Sequence, residues 1–123
     1  MPNILALEAS TDMCSVALLT DDGVNWLDQI APRQHGKLLQ PMVEALLSSN
    51  KIKLNELDLV ACGLGPGSFT GLRIAASAAQ GFAFSLGIPL MAGCTLECQA
   101  LNALQDQLVE EDAAVLSVID AKI

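Results

Sequence analysis

One stretch limits the folds open to this chain more than any other: Gly63-Leu64-Gly65-Pro66-Gly67-Ser68-Phe69-Thr70-Gly71-Leu72-Arg73. Before it, Leu57 to Cys62 is a short apolar run that reads as a buried strand. After it, Ile74 to Leu86 is rich in Ala and free of Pro, which predicts a helix. The glycines therefore occupy a strand-to-helix turn. Gly63, Gly65 and Gly67 permit positive φ and close approach of backbone. Pro66 stiffens the turn and disfavours the helical region at Gly65, and Ser68 or Thr70 can accept from the first free N–H groups of the helix. Two readings of the turn stand open. A helix N-terminus behind a glycine loop offers N–H groups to an anion such as a phosphate, or the connection is simply tight. No Gly-Lys-Ser/Thr follows, and the spacing is not G-x-G-x-x-G, which weighs toward the tight turn.

The rest of the chain arranges itself around this turn. Asn3 to Leu7 predicts a strand, Glu8 to Asp12 a polar turn and Cys14 to Leu19 a second strand. Asp21-Asp22-Gly23 is a hairpin signal, and Val24 to Ile30 alternates Val24, Trp26 and Ile30 against Asn25 and Gln29, which predicts a third, half-exposed strand. Pro32 to Gly36 connects to a helix running to about Asn50, with Leu38, Leu39, Met42, Val43, Ala45, Leu46 and Leu47 as a broad apolar stripe. Pro41 fits a helix interior poorly, so this helix starts near Leu39 or bends there. Lys51 to Glu56 reads as a polar linker. Past the glycine turn and its helix, Gly87-Ile88-Pro89 is a stop signal and Leu90 to Gly93 a short strand. Thr95 caps a third helix with Leu96, Ala100, Leu101, Leu104 and Leu108 at helical spacing, and Ala114 to Ile119 is a last strand. A meander followed by strand–helix crossovers gives a mixed sheet covered by helices.

Composition excludes several function classes. The chain has 123 residues, six Lys and Arg against 14 Asp and Glu, and a net charge of −8. Such a chain repels a phosphate backbone, so a role on a nucleic acid would run through other subunits. No run reaches the roughly 18 apolar residues of a membrane helix, and Met1-Pro2-Asn3 lacks the basic start of a signal peptide, which predicts a cytoplasmic protein. The four cysteines, Cys14, Cys62, Cys94 and Cys98, form no C-x-x-C and have one histidine for company, so they read as buried reduced thiols rather than zinc ligands. Apolar residues make up 52% before nine glycines are added. Globular domains reach about 45–50% with Gly counted, and the excess predicts apolar surface awaiting a partner or further chain.

The glycine stretch resembles the signature G-x-G-P-G-S-F-T-G-x-R of the TsaB (YeaZ) family. Ile4 to Thr11, Cys14 to Leu18, Pro32-Arg33-Gln34-His35 and Val118 to Lys122 match that family in the same order, over nearly the whole chain. The resemblance implies a ribonuclease H-like half of the actin, sugar-kinase and chaperone ATPase superfamily, which has two such halves in tandem. Residues 1–110 are then the first domain, and 111–123 begin a second, mostly absent one. It also implies an accessory subunit in the synthesis of threonylcarbamoyladenosine on tRNA. Its expected partners are a TsaD-type catalytic subunit and a TsaE-type ATPase, with tRNA reached through them and a homodimer as a further option. ATP and metal are expected on those partners, and no cofactor or metal on this chain.

Site expectations follow from both sources. No catalytic residue is assigned, because the metal motif H-x-x-x-H implied for the sister enzyme cannot form with His35 alone. Glu8, Ser10 and Thr11 stand where superfamily members hold a metal-bound water and phosphate. Here they read either as a vestigial nucleotide site, with Glu8 where relatives of the family carry Asp, or as a solvated strand-end acid that caps its turn, and the lack of a second aligned acid weighs toward the latter. Arg73 meets an anion, a partner carboxylate or a surface acid. Gly71, Ala75 and Ala79 give the glycine-turn helix a small-residue stripe, which permits close helix packing. With Leu39, Met42, Val43 and Leu46 of the first helix, and Leu72, they are assigned as a partner interface that two-fold pairing would turn into a four-helix bundle. The alternatives are a nucleotide-binding phosphotransferase using Glu8, Ser10, Thr11 and the glycine turn, and a plain homodimeric structural domain.

Overall fold

The computed structural model describes residues 2–30 and 32–93. Three strands come first: β1 (Ile4–Glu8), β2 (Met13–Thr20) and β3 (Gly23–Ile30). Helix α1 (His35–Ser49), β4 (Leu59–Gly63), α2 (Phe69–Leu86) and β5 (Leu90–Gly93) complete the described part. The sheet order is β3-β2-β1-β4-β5. β1 and β3 lie antiparallel to β2, whereas β4 is parallel to β1 and β5 parallel to β4. This is the mixed sheet that the meander and crossovers predict. The third helix, the last strand, Cys94, Cys98 and the 111–123 segment of the sequence reading lie outside the described residues.

Register decides which side of the sheet is core. Leu5 sits opposite Leu18 and Val60, and Leu7 opposite Val16 and Cys62. Because successive side chains alternate between faces, one face of β1, β2 and β4 collects Leu5, Leu7, Val16, Leu18, Val60 and Cys62, all buried. α1 and α2 cover that face. The connection into β4 is fastened to the start of β1. Asn3 donates from its backbone to Asp58 Oδ2 at 2.8 Å and from Nδ2 to the Glu56 carbonyl at 2.9 Å, while the Asp58 N–H donates to the Asn3 carbonyl at 2.8 Å. The stretch read as a linker contains a short 3-10 turn, Leu54–Glu56, held by the Lys53 N–H donating to Glu56 Oε1 at 3.1 Å.

Three expectations change. α1 begins at His35, one turn before Leu39, and carries Pro41 inside it. Pro41 lacks the N–H that would serve the Lys37 carbonyl. Both residues lie on the exposed side, where water can replace the lost bond. β3 is exposed along both faces rather than one, because it is the sheet edge and neither described helix reaches across it to bury an alternating row. The interface residues also move inward. Leu39, Met42, Val43 and Leu46 are core residues, and Gly71, Ala75 and Ala79 are buried too, with Leu72 half-buried. The stripe of small residues lets α2 lie close on its own sheet, and the stripe on α1 fills the same core. A docking face on these helices uses other residues.

Candidate functional site

β1 and β4 run parallel and end side by side, so their C-terminal ends bring two turns together. Glu8 closes β1, and a Cβ on the neighbouring Gly63 would collide with the Glu8 carboxylate. The Ser10 N–H donates to Glu8 Oε1 at 3.0 Å, which folds the chain tightly after the strand and buries Ala9 and Ser10. The glycine turn then lies directly on this pair. The Ser68 N–H donates to the Ser10 carbonyl at 2.6 Å. A Cβ on Gly67 would fall on Ser10, and one on Gly71 on the Ala9 carbonyl oxygen. Gly65, at φ +96°, takes the left-handed conformation that an L side chain resists; it precedes Pro66 through a cis bond. The signature glycines thus serve close approach of backbone at Gly67 and Gly71, a left-handed turn at Gly65, and contact with the Glu8 side chain at Gly63.

This geometry bears on the two readings of the turn. The N-cap of α2 is Ser68, whose Oγ accepts from the Gly71 N–H at 3.3 Å. The Leu72 N–H donates to the Ser68 carbonyl at 2.9 Å. The Ser68 and Gly71 donors are thus taken by the chain's own oxygens, and the Ala9 and Ser10 carbonyls crowd the helix start with partial negative charge. The arrangement is a packed corner. Glu8, Ser10 and Thr11 do stand together at the end of β1, as the sequence places them. Thr11 Oγ1 accepts from the Met13 N–H at 3.2 Å, shaping the turn into β2.

Cys14 and Cys62 are free, buried thiols. Burial pushes both above the ordinary thiol value, and the Glu8 carboxylate adds to the rise at Cys62. A protonated thiol is a poor nucleophile and a poor ligand, so these two act as small apolar residues. His35 is buried at the first position of α1, with no hydrogen-bond partner for Nε2 among the described residues.

The outward side of α2 carries a face that the sequence reading did not assemble, although it named Arg73. Phe69, Arg73, Ser77, Gln80 and Phe84 recur at three- and four-residue spacing on the exposed face. Phe69 is 70% and Phe84 91% exposed. The Arg73 guanidinium lies 5.2 Å from the Phe69 ring centroid, within cation–π range, and no carboxylate among the described residues pairs with it. Beside them an open groove of about 520 Å³ separates α2 from Gly36 and Gln40 at the start of α1. The signal was present in the sequence: Phe84 follows Phe82 by two residues, which on a helix puts the two rings on opposite sides.

Comparison with known proteins decides the family. The TsaD family model, described as tRNA N6-adenosine threonylcarbamoyltransferase, matches residues 26–122. A protein of Haemophilus influenzae named tRNA threonylcarbamoyladenosine biosynthesis protein TsaB is 38% identical over 98% of this chain and 50% of its own length. The Escherichia coli K12 protein of the same name is also 38% identical, over 98% of this chain and 51% of its own. The chain belongs to the TsaD-related TsaB (YeaZ) family. The structure of YeaZ from Pseudomonas aeruginosa superposes with a TM-score of 0.85 at 42% identity, over 87% of this chain and 50% of that one. The fold is therefore the ribonuclease H-like, actin-type half expected from the sequence, and the chain spans about half the length of the relatives it matches.

Proposed function

We propose that this chain belongs to an accessory, non-catalytic subunit of the machinery that makes threonylcarbamoyladenosine on tRNA. It docks a TsaD-type catalytic protein through the outward faces of α1 and α2. TsaB relatives named for that biosynthesis supply the pathway. One observation carries the docking mode: two exposed phenylalanines aligned along α2 with Arg73, which lies over the Phe69 ring and meets no carboxylate among the described residues. Aromatic and Arg side chains dominate binding energy where proteins meet, and Phe84 has no use within the described fold. The catalytic metal, ATP and the contacts to tRNA belong to the partner subunits, among them a TsaE-type ATPase. A single, buried His35 and a net charge of −8 support that division. The nucleotide-binding alternative loses ground at the packed corner, where carbonyl oxygens face the α2 N-terminus.

The test is light scattering of the chain mixed with the TsaD-type protein of the same cell, with Phe84→Glu as the variant. A one-to-one complex that Phe84→Glu abolishes, with circular dichroism unchanged, supports the reading. A complex indifferent to Phe84→Glu and Phe69→Ala, or no complex at all, overturns the docking mode.

A further inference from the structure

Charge is unevenly divided along this chain. Residues 1–30 hold five acids, Glu8, Asp12, Asp21, Asp22 and Asp28, and no Lys or Arg; all six cations follow, from Arg33 onward. The three-strand meander is therefore purely acidic, and its edge is β3. The eight residues of β3 pair with β2 in continuous register, so no bulge turns the edge aside, and no strand among the described residues pairs with its outer side. It contains no Lys, Arg or Pro, the residues that usually guard an exposed edge. Val24, Trp26, Asp28 and Ile30 stand opposite Leu19, Ala17, Ser15 and Met13. They lie on the side of the sheet away from α1 and α2, because the alternate residues of β2, Cys14, Val16 and Leu18, are the buried ones. Trp26 is 64% and Ile30 70% exposed there. On the other side of the strand, Asn25 Nδ2 donates to Asn50 Oδ1 at 2.8 Å, which ties that face to the end of α1.

We propose that β3 receives, as a sixth strand of the sheet, an extended basic segment of a different protein. Main-chain bonds along an open edge give affinity, and alternate side chains give specificity. The segment runs antiparallel to β3, the better pairing per residue. On the face away from the helices it carries apolar side chains opposite Val24, Trp26 and Ile30, and a Lys or Arg opposite Asp28. That cation also lies diagonal to Trp26, within reach of its ring, so a carboxylate and an indole face hold it together. A second cation, six residues along the segment, comes level with Asp22 in the turn before β3. Charge selects the occupant. A second copy of this chain brings only acids to this edge. Residues 94–123 of the chain itself hold six acids and one lysine, so they do not supply the match either. The acidic meander steers a basic segment toward the edge, and salt weakens that steering.

This surface lies on a different element from the proposed TsaD-type docking face, and the two are tested separately. Trp26 is the single tryptophan of the chain, which has no tyrosine, so its emission reports occupancy of the edge directly. The probe is a nine-residue peptide of valine and threonine with lysine at its third and ninth positions, in register with Asp28 and Asp22. Titrated into the whole chain, it should shift Trp26 emission to the blue in a saturable way that weakens with salt. The same peptide with glutamate for lysine should leave the emission unchanged. Asp28→Asn should weaken the lysine peptide by about two- to five-fold, Asp28→Lys should reverse the preference between the two peptides, and Phe84→Glu should change nothing. Only alternate amides of an added strand face its neighbour. N-methylation of one alternate set in the peptide should therefore abolish binding, and of the other set should not. That comparison needs no variant of the chain, so it holds even where Asp28→Lys folds poorly. An emission that never shifts, lysine and glutamate peptides that bind alike, or two N-methylated sets that bind equally well overturns the proposal.

Discussion

The glycine corner and β3 are both regular pieces of backbone, and they differ in what lies against them. At the corner, Gly67 and Gly71 are pressed on the backbone of Ser10 and Ala9 with no room for a methyl group, and Gly63 lies against the Glu8 carboxylate. Along β3, eight residues pair in perfect order and seven of them are exposed. Hydrogen bonding alone therefore says little about how strictly a position is constrained. Where two backbones touch, side-chain volume is excluded and the sequence is narrowly determined. Where only the ladder is satisfied, composition is free with respect to folding and can be spent on association.

The contrast can be broken by substitution. The largest effect belongs to Ala75→Arg, which places a charge in the buried seam between α2 and the sheet. It should cost more than about 3 kcal/mol, read as loss of the cooperative thermal transition. If Ala75→Arg folds normally, the inner face of α2 is not core. Gly71→Ala comes next, at about 2–3 kcal/mol by urea titration, because a backbone carbonyl cannot move aside as a side chain can. A third effect is alkaline. Burial raises the Cys14 and Cys62 thiols above 9.0, so the folded chain keeps protons that the unfolded chain releases. Stability is level below the unfolded value and falls as pH rises through about 9 toward the raised values, by at most about 1.4 kcal/mol per pH unit per thiol. A Cys14→Ala, Cys62→Ala chain should show a shallower alkaline loss in the same titration. The smallest effect is Trp26→Thr, under about 0.5 kcal/mol at dilutions where the chain is monomeric; a larger loss would mean that β3 contributes to the core after all.

Much of this was legible in the residues because local and long-range signals agreed. The order of strands and helices, the Ser68 cap, the Gly87 stop at φ +66° and the strand at Leu90 all follow from punctuation and hydrophobic period. Misreadings arose where one signal served two purposes. Small residues at Gly71, Ala75 and Ala79 suit a helix partner or a sheet equally, and only register against β4 separates them. Alternation in Val24 to Ile30 predicts a strand correctly, but burial depends on a covering layer that a strand's own residues do not encode. Pro41 suggested a helix start near Leu39 or a bend there because the proline rule concerns the missing N–H; the start lies earlier, at His35, and the exposed setting of Pro41 makes the lost bond tolerable. The candidate site was half visible: the signature and Glu8 were found, and their contact with each other required the parallel pairing of β1 and β4.

The Ser68–Ser10 bond joins residues far apart in the chain, and that separation has a kinetic consequence. β1, β2 and β3 meet through short turns and can assemble early. The corner must wait until α1 has crossed over and β4 has aligned on β1, since closing a long loop costs chain entropy before any contact repays it. Its interactions then form late, after the folding barrier. Damage there should therefore leave the folding rate almost untouched and shorten the lifetime of the folded state instead.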